Sequence, residues 1–279
     1  MIRPATLLLL FANLLSLDSA HAHETPTEEP DRAARLVFLQ ELAAEYQLVI
    51  DGDRVARMSP HPVYRWCHPI GSTADGISFV WMDEEQPVVL GSMMILRDGT
   101  LSGEFQSLTS GPLKAVKKGV TIWEPAKPGG EFVRVPEAPK PADTATERLT
   151  QMKSLTRRFS AELTKRPPEY SEGSIWPLRL LPKQLVRYGG PQAAALDGAI
   201  FAFCHDTDPE ILLSLEARGE KDDLAWYFAF GPLTSWKATG HCDNKIVWSQ
   251  PPLASRNALK QPYITFIPTT DAKLSEVLK

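Results

Sequence analysis

Asp75-Gly76-Ile77-Ser78-Phe79-Val80-Trp81-Met82 and, 122 positions later, Asp197-Gly198-Ala199-Ile200-Phe201-Ala202-Phe203-Cys204 decide how this chain is built. Both stretches open on Asp-Gly, and Phe79 falls on Phe201. The match runs outward from them without a gap. Upstream, Arg57 falls on Arg179, Pro60 on Pro182, Arg65 on Arg187 and Pro69 on Pro191. Downstream, Pro87 falls on Pro209, Leu90 on Leu212 and Ser92 on Ser214. Ten of the 36 positions from 57 to 92 are identical, where ordinary residue usage gives about two. Small shifts then bring Gly111-Pro112-Leu113 onto Gly231-Pro232-Leu233, and Val120–Trp123 onto Lys245–Trp248. Self-similarity at a near-constant offset predicts one structural unit used twice.

Each unit opens on a helical pattern. Leu36, Leu39, Leu42, Ala43 and Tyr46 share one stripe of a helix predicted near 31–48. Leu149, Met152, Leu155, Phe159 and Leu163 do the same near 145–164, since spacings of three and four keep side chains on one face. Pro30 suits an opening turn, and Thr144 with Glu147 has the capping-box spacing. The cations Arg148, Lys153, Arg157, Arg158, Lys165 and Arg166 are expected on the wet face of the second helix.

Strand-like runs follow each helix. In the first unit they are 62–66, 77–82, 88–96, 101–108 and 120–123. In the second they are 176–181, 199–204, 211–217, 225–230 and 245–248, with one more over 264–267. Asp83-Glu84-Glu85-Gln86, His205-Asp206-Thr207-Asp208 and Asp98-Gly99 read as turns between paired strands. Short sequential strands joined by turns imply antiparallel sheets. The expected class is α+β: two tandem duplicated units, each an antiparallel β-sheet with one packed amphipathic helix. The units span 23–124 and 145–279, and a Pro-rich linker over 125–144 joins them. Its five prolines and Gly129-Gly130 suit an extended spacer.

Arg3, the apolar run Leu7–Leu17 and Ala20-His21-Ala22 have the order of a signal peptide over 1–22. Cleavage near Ala22 predicts an exported protein, periplasmic or extracellular. The apolar run is shorter than the roughly 20 residues a membrane span needs, and no later stretch is apolar enough to span. Net charge is −4 in the full sequence, and stays there once Arg3 and Asp18 are removed. A mildly acidic chain has no broad electrostatic reason to bind nucleic acid. The 24 prolines favour many short elements.

Several stretches carry a family resemblance: Glu104–Leu108, Arg148-Leu149 with Gln151-Met152, Leu180-Leu181-Pro182 with Leu185 and Arg187-Tyr188, Asp197–Phe203, and Thr207–Glu210. Together they resemble a family of uncharacterised exported proteins of planctomycete-type bacteria. The resemblance runs from about Pro60 to Trp248. It implies export and brings no assigned activity, substrate or catalytic residue.

The candidate chemistry is sparse. Arg65 with Asp75, and Arg187 with Asp197, recur at one spacing. Guanidinium forks grip carboxylates bidentately, so these could hold a ligand; the ordinary expectation is that Asp-Gly opens a turn while the arginine pairs internally. Every cysteine adjoins a histidine: Cys67-His68, Cys204-His205 and His241-Cys242. Thiolate and imidazole suit zinc or copper. Yet strand neighbours point to opposite faces, and a disulfide is expected instead, with Cys204–Cys242 the favoured choice among three pairings. His23, exposed at a mature amino terminus, could chelate copper. His205, Asp206 and Asp208 could serve acid–base chemistry, but charged hairpin tips are usually solvated. The seven tryptophans are expected in the sheet cores, or lining a groove between the units that takes an apolar or sugar ligand. No G-x-S-x-G, H-E-x-x-H or Walker pattern is present.

The sequence therefore assigns no catalytic, cofactor-binding or metal residue and no cofactor. The expected function is a non-catalytic binding or interaction protein, its partner an envelope protein or a small molecule. The alternatives are a hydrolase or other enzyme with a cleft between the units, and a copper or zinc protein.

Overall fold

The computed structural model describes residues 28–68, 71–165, 173–190, 193–253 and 258–270. The expected signal peptide and His23 lie outside them. The first half runs α1 (Glu28–Ala44), β1 (Tyr46–Ile50), β2 (Arg54–Val55), β3 (Arg57–Met58), β4 (Tyr64–Trp66), β5 (Thr73–Asp83), β6 (Gln86–Leu96), β7 (Leu101–Ser107), β8 (Leu113–Lys117) and β9 (Val120–Trp123). Next come β10 (Val133–Arg134), α2 (Ala145–Leu155), β11 (Phe159–Lys165), β12 (Ser174–Pro177), β13 (Arg179–Leu180), β14 (Val186–Tyr188), β15 (Asp197–His205) and β16 (Asp208–Arg218). After these come β17 (Ala225–Pro232), β18 (Lys237–Cys242), β19 (Lys245–Gln250) and β20 (Tyr263–Phe266). No helix among the described residues is long and apolar enough to cross a membrane.

Among the described residues the strands form four antiparallel sheets. One large sheet has the order β20-β7-β6-β5-β3 with β4 also on β5; the other has β10-β17-β16-β15-β13 with β14 also on β15. The small sheets have the orders β2-β1-β8-β9 and β12-β11-β18-β19. Each half thus holds two sheets rather than one, and the helix shares the task of covering the large sheet with a small one. The first core joins Phe38, Leu39 and Leu42 of α1, Leu48 of β1, Phe79 and Trp81 of β5, and Trp123 of β9. The second joins Met152 and Leu155 of α2, Leu163 of β11, Phe201 and Phe203 of β15, and Trp226 of β17.

Both helices are shorter than their stripes suggested. α1 stops at Ala44, and Tyr46, Leu48 and Ile50 are alternate buried positions of β1. α2 stops at Leu155, and a single 3₁₀ turn leads into β11, where Phe159, Ala161 and Leu163 face the core. A spacing of four satisfies both a helical stripe and a strand face, so Phe159 and Leu163 fitted either element. The cap of α2 holds: Thr144 accepts from the Glu147 amide at 3.3 Å, and its hydroxyl donates to Glu147 Oε2 at 2.7 Å.

The two large sheets pack back to back. Along β15, Ala199, Phe201 and Phe203 point into the second core, while Ile200, Ala202 and Cys204 point away. The outward set joins Leu90, Leu181, Tyr188, Leu212, Leu233 and Tyr263 in a third cluster drawn from both halves. Burial on both faces explains why these central strands read as continuous apolar runs. No tryptophan belongs to this cluster: Trp81, Trp123 and Trp226 fill the two cores, so the expected aromatic-lined groove between the units is instead a packed aliphatic and tyrosine layer.

The two outer strands cross between halves. β10 follows the first small sheet and pairs with β17, Val133 opposite Phe228. β20 follows the second small sheet and pairs with β7, Tyr263 opposite Gln106. The Pro-rich stretch is itself docked: Gln106 Nε2 donates to Gly129 O at 2.8 Å, and the Gly129 amide to Thr109 O at 2.9 Å.

Cys67, Cys204 and Cys242 are all free thiols. The expected Cys204–Cys242 bridge does not form because the residues belong to different layers. Cys204 faces the inter-sheet cluster, and Cys242 belongs to the second core.

Candidate functional site

The recurrent arginines and aspartates do meet. Arg65 on β4 grips Asp75 on β5 with Nε to Oδ1 at 2.9 Å and Nη2 to Oδ2 at 2.6 Å. Arg35 of α1 donates to the same Oδ2 at 3.0 Å, and Arg65 Nη2 also reaches Arg32 O on that helix at 2.6 Å. In the second half Arg187 grips Asp197 at 3.1 and 2.8 Å, and Arg148 of α2 adds Nε to Oδ2 at 2.9 Å. Arg187 Nη2 reaches Ala145 O. Both carboxylates are buried. These forks are filled by the protein's own side chains, which tie each helix to its sheet. Arg148 is accordingly buried in the clamp and not on the wet face expected of it.

Asp75-Gly76 does not open a turn; it lies inside β5, opposite Trp66. The glycine is needed because the indole lies over it: a β-carbon on Gly76 would fall 2.6 Å from the ring. Gly198 repeats this under Tyr188, at 2.7 Å.

Around the first clamp a cleft of about 530 Å³ opens, with Arg32, Arg35, Arg97, Trp66, Asp31 and Asp75 in its wall. Arg97 Nε donates to Gly71 O at 2.9 Å and its Nη2 to His68 O at 3.0 Å. Trp66 stacks on Tyr64, rings 5.7 Å apart, and its buried Nε1 meets no acceptor among the described residues. In the second half Ala145 O accepts from Arg187 as Arg32 O does from Arg65, and the residues 122 positions after Arg97 and Trp66 are Gly219 and Tyr188.

A second cluster forms where the halves interlock. The turn between β15 and β16 brings His205, Asp206 and Asp208 against His68, which follows β4. His68 Nε2 lies 3.1 Å from Asp206 Oδ2, its Nδ1 lies 4.0 Å from Asp208 Oδ2, and the His68 and His205 rings are 5.5 Å apart, edge to face. One ligand-type atom from each of His68, His205 and Asp206 falls within 4.8 Å of the others. The turn is pinned: Asp206 has φ of 54°, its carbonyl accepts from Arg179 Nη2 at 2.9 Å, Thr207 Oγ1 donates to Cys67 O, and Tyr64 OH donates to Thr207 O at 3.1 Å. Neither adjacent cysteine belongs to this set. Cys67 is exposed, and burial pushes the Cys204 thiol up to about 12. His241 and Cys242 lie apart on β18.

Two further buried carboxyls stand on the large sheets. Glu104 accepts from Tyr263 OH at 2.8 Å, and burial raises its carboxyl to about 8, with Asp208 adding to the rise. Glu216 accepts from Tyr188 OH at 2.6 Å and from Gln86 Nε2 at 3.3 Å, and Arg218 Nε donates to its other oxygen. Neither acid was singled out as a candidate for chemistry, because each meets its tyrosine only in the folded chain. The cysteine–histidine neighbours did mark His68 and His205. Their convergence is set by the interlocking of the halves, which spacing does not encode. Compared with protein-family models, curated proteins and solved structures, the chain matches none of them.

Proposed function

We propose that this is an exported, non-catalytic binding protein that takes a small anionic ligand in the cleft beside Arg32, Arg35 and Arg97. Its framework is two copies of one unit, the first elaborated for binding and the second kept for support. The duplication rests on register. Arg57↔Met82, Arg65↔Ile77, Ile77↔Met93 and Met82↔Pro87 each become a pair of the second half when 122 is added to both partners: Arg179↔Cys204, Arg187↔Ala199, Ala199↔Leu215 and Cys204↔Pro209. Even the bulge after Trp81 recurs after Phe203.

The observation that carries the binding role is a contrast between the halves. Both keep the Arg–Asp–Arg clamp, which therefore serves folding. The first alone adds Arg32, Arg97 and Trp66 around it. Guanidinium groups recognise carboxylate and phosphate oxygens by paired hydrogen bonds, and the Trp66 ring lines the same cleft as an apolar wall. Thermal-shift and calorimetric titration of the mature protein with phosphate, citrate, a sulfated sugar and neutral glucose tests this. At about 100 times Kd a ligand stabilises by about 2.7 kcal/mol. At least one anion is expected to raise the melting temperature, and Arg32→Gln to weaken that response. No response to any anion, or an equal response to glucose, overturns the proposal.

A further inference from the structure

We propose that His68, His205 and Asp206 bind one divalent transition-metal ion, zinc(II) or copper(II), that bridges the two halves of the chain. The site is distinct from the anion cleft. Three features carry it.

The first is the donor set. Two imidazoles and a carboxylate are ligands of borderline softness suited to these ions, and three protein ligands leave a fourth position for water or an external group. In a tetrahedral site with metal–nitrogen distances of about 2.0–2.1 Å, donor atoms stand about 3.3 Å apart. His68 Nε2 and Asp206 Oδ2 are already at 3.1 Å, and the set as a whole spans 4.8 Å. Closing that gap falls to Asp206, which is exposed in the turn, while the half-buried His205 ring is held 4.4 Å from that of Trp176.

The second is the support behind His68. Its amide donates to Thr73 O, its carbonyl accepts from Gly71 N and Arg97 Nη2, and its side chain is only 12% exposed. With Nε2 turned to the ion, Nδ1 faces Asp208 Oδ2 at 4.0 Å. A carboxylate behind a ligating imidazole fixes its tautomer and raises its basicity.

The third is the other corner of the molecule. There the hairpin between β5 and β6 meets Gly189 and Gly190, the positions equivalent to Cys67 and His68. Gly189 N donates to Glu85 O at 3.3 Å, and a β-carbon on Gly190 would fall 1.9 Å from Glu85 Oε2. Asp83 and Glu84 stand where the first-named corner has His205 and Asp206. The halves interlock there without a histidine, so packing alone does not require the pair of imidazoles.

The test uses mature protein, stripped with a chelator and titrated with zinc(II), and separately with cobalt(II) as a spectroscopic probe. One equivalent of zinc is expected in calorimetry and in elemental analysis after desalting, together with the visible bands of four-coordinate cobalt. His68→Gln and His205→Gln are each expected to abolish these signals, and Asp208→Asn to weaken binding about 10- to 100-fold. Circular dichroism of the metal-free variants establishes that they fold. Cys67→Ser and His23→Ser are expected to bind normally. Binding that survives both His68→Gln and His205→Gln, or that is lost with Cys67→Ser or His23→Ser, overturns the site, as does a stoichiometry near zero. Anion binding at the cleft is measured on metal-free protein, so the two proposals fail separately.

Discussion

Tyr263 donates a 2.8 Å hydrogen bond to Glu104 across 159 residues of sequence, and both side chains are buried between the large sheets. The bond secures β20 to β7 and leaves a carboxyl in a place where its charged form is poorly solvated. Burial lifts Glu104 from an ordinary value of 4.5 to about 8, and lifts the Tyr263 hydroxyl well above its usual range. Below the ordinary value both folded and unfolded chains hold the proton. Between the two values only the folded chain does, so stability falls as the pH rises towards 8.

Glu104→Gln removes that titration while keeping an acceptor for Tyr263. Between about pH 5 and about pH 8 the native protein is expected to lose stability by on the order of 3 kcal/mol more than the variant does. Urea unfolding at the two pH values measures it. Parallel curves for the two proteins would show that Glu104 is ionised in the fold.

Asp197 pairs with Arg148 and Arg187 at once, and Arg148 is buried. Asp197→Asn leaves a buried guanidinium without its counter-charge and is expected to cost about 3–5 kcal/mol. The double change Arg148→Met with Asp197→Leu is expected to recover much of that, because the charge buried beneath α2 is gone. Chemical denaturation of the single and double variants makes the comparison.

Gly76 has no room for a side chain under Trp66. Gly76→Ala is expected to destabilise by about 1–3 kcal/mol through overpacking. The cost is expected to shrink in a Trp66→Ala background, giving a coupling between the sites in a double-mutant cycle. Full additivity would place the strain elsewhere.

Leu155 ends α2 and lies in the second core at 4% exposure. Leu155→Asp buries a carboxylate without a partner there and is expected to unfold the second core, since an unpaired buried charge and a lost leucine each cost several kcal/mol. A thermal midpoint equal to that of the native protein would contradict this packing.

Much of the architecture was legible in the sequence because hydrophobic patterning and turn chemistry are local. The hairpins at 83–86 and 205–208, the Asp98-Gly99 turn and the cap at Thr144 all form where Gly, Asp and Thr made them cheap. The small sheets were the weak point. Tyr46-Gln47-Leu48-Val49-Ile50 and Phe159–Lys165 alternate at period two, yet their apolar residues also extend the preceding helical stripes. Leu113–Lys117 and Lys237–Cys242 are short, and each carries charged or polar residues that mask the buried face. For the proposed metal site, the Cys–His neighbours marked His68 and His205 and the hairpin turn marked His205 with Asp206, while no spacing brought the two histidines together. Asp206, and not a thiol, stands beside them, because the turn carries it across while the strand turns Cys204 the other way.

The crossing of β10 and β20 also governs the order in which the chain can finish folding. The first large sheet receives its outer strand from residues 263–266, so its β7 edge stays open until the chain has been synthesised past Phe266. Whatever protects that bare edge from strangers must act over the whole interval, and a chain cut short before Tyr263 would never close it.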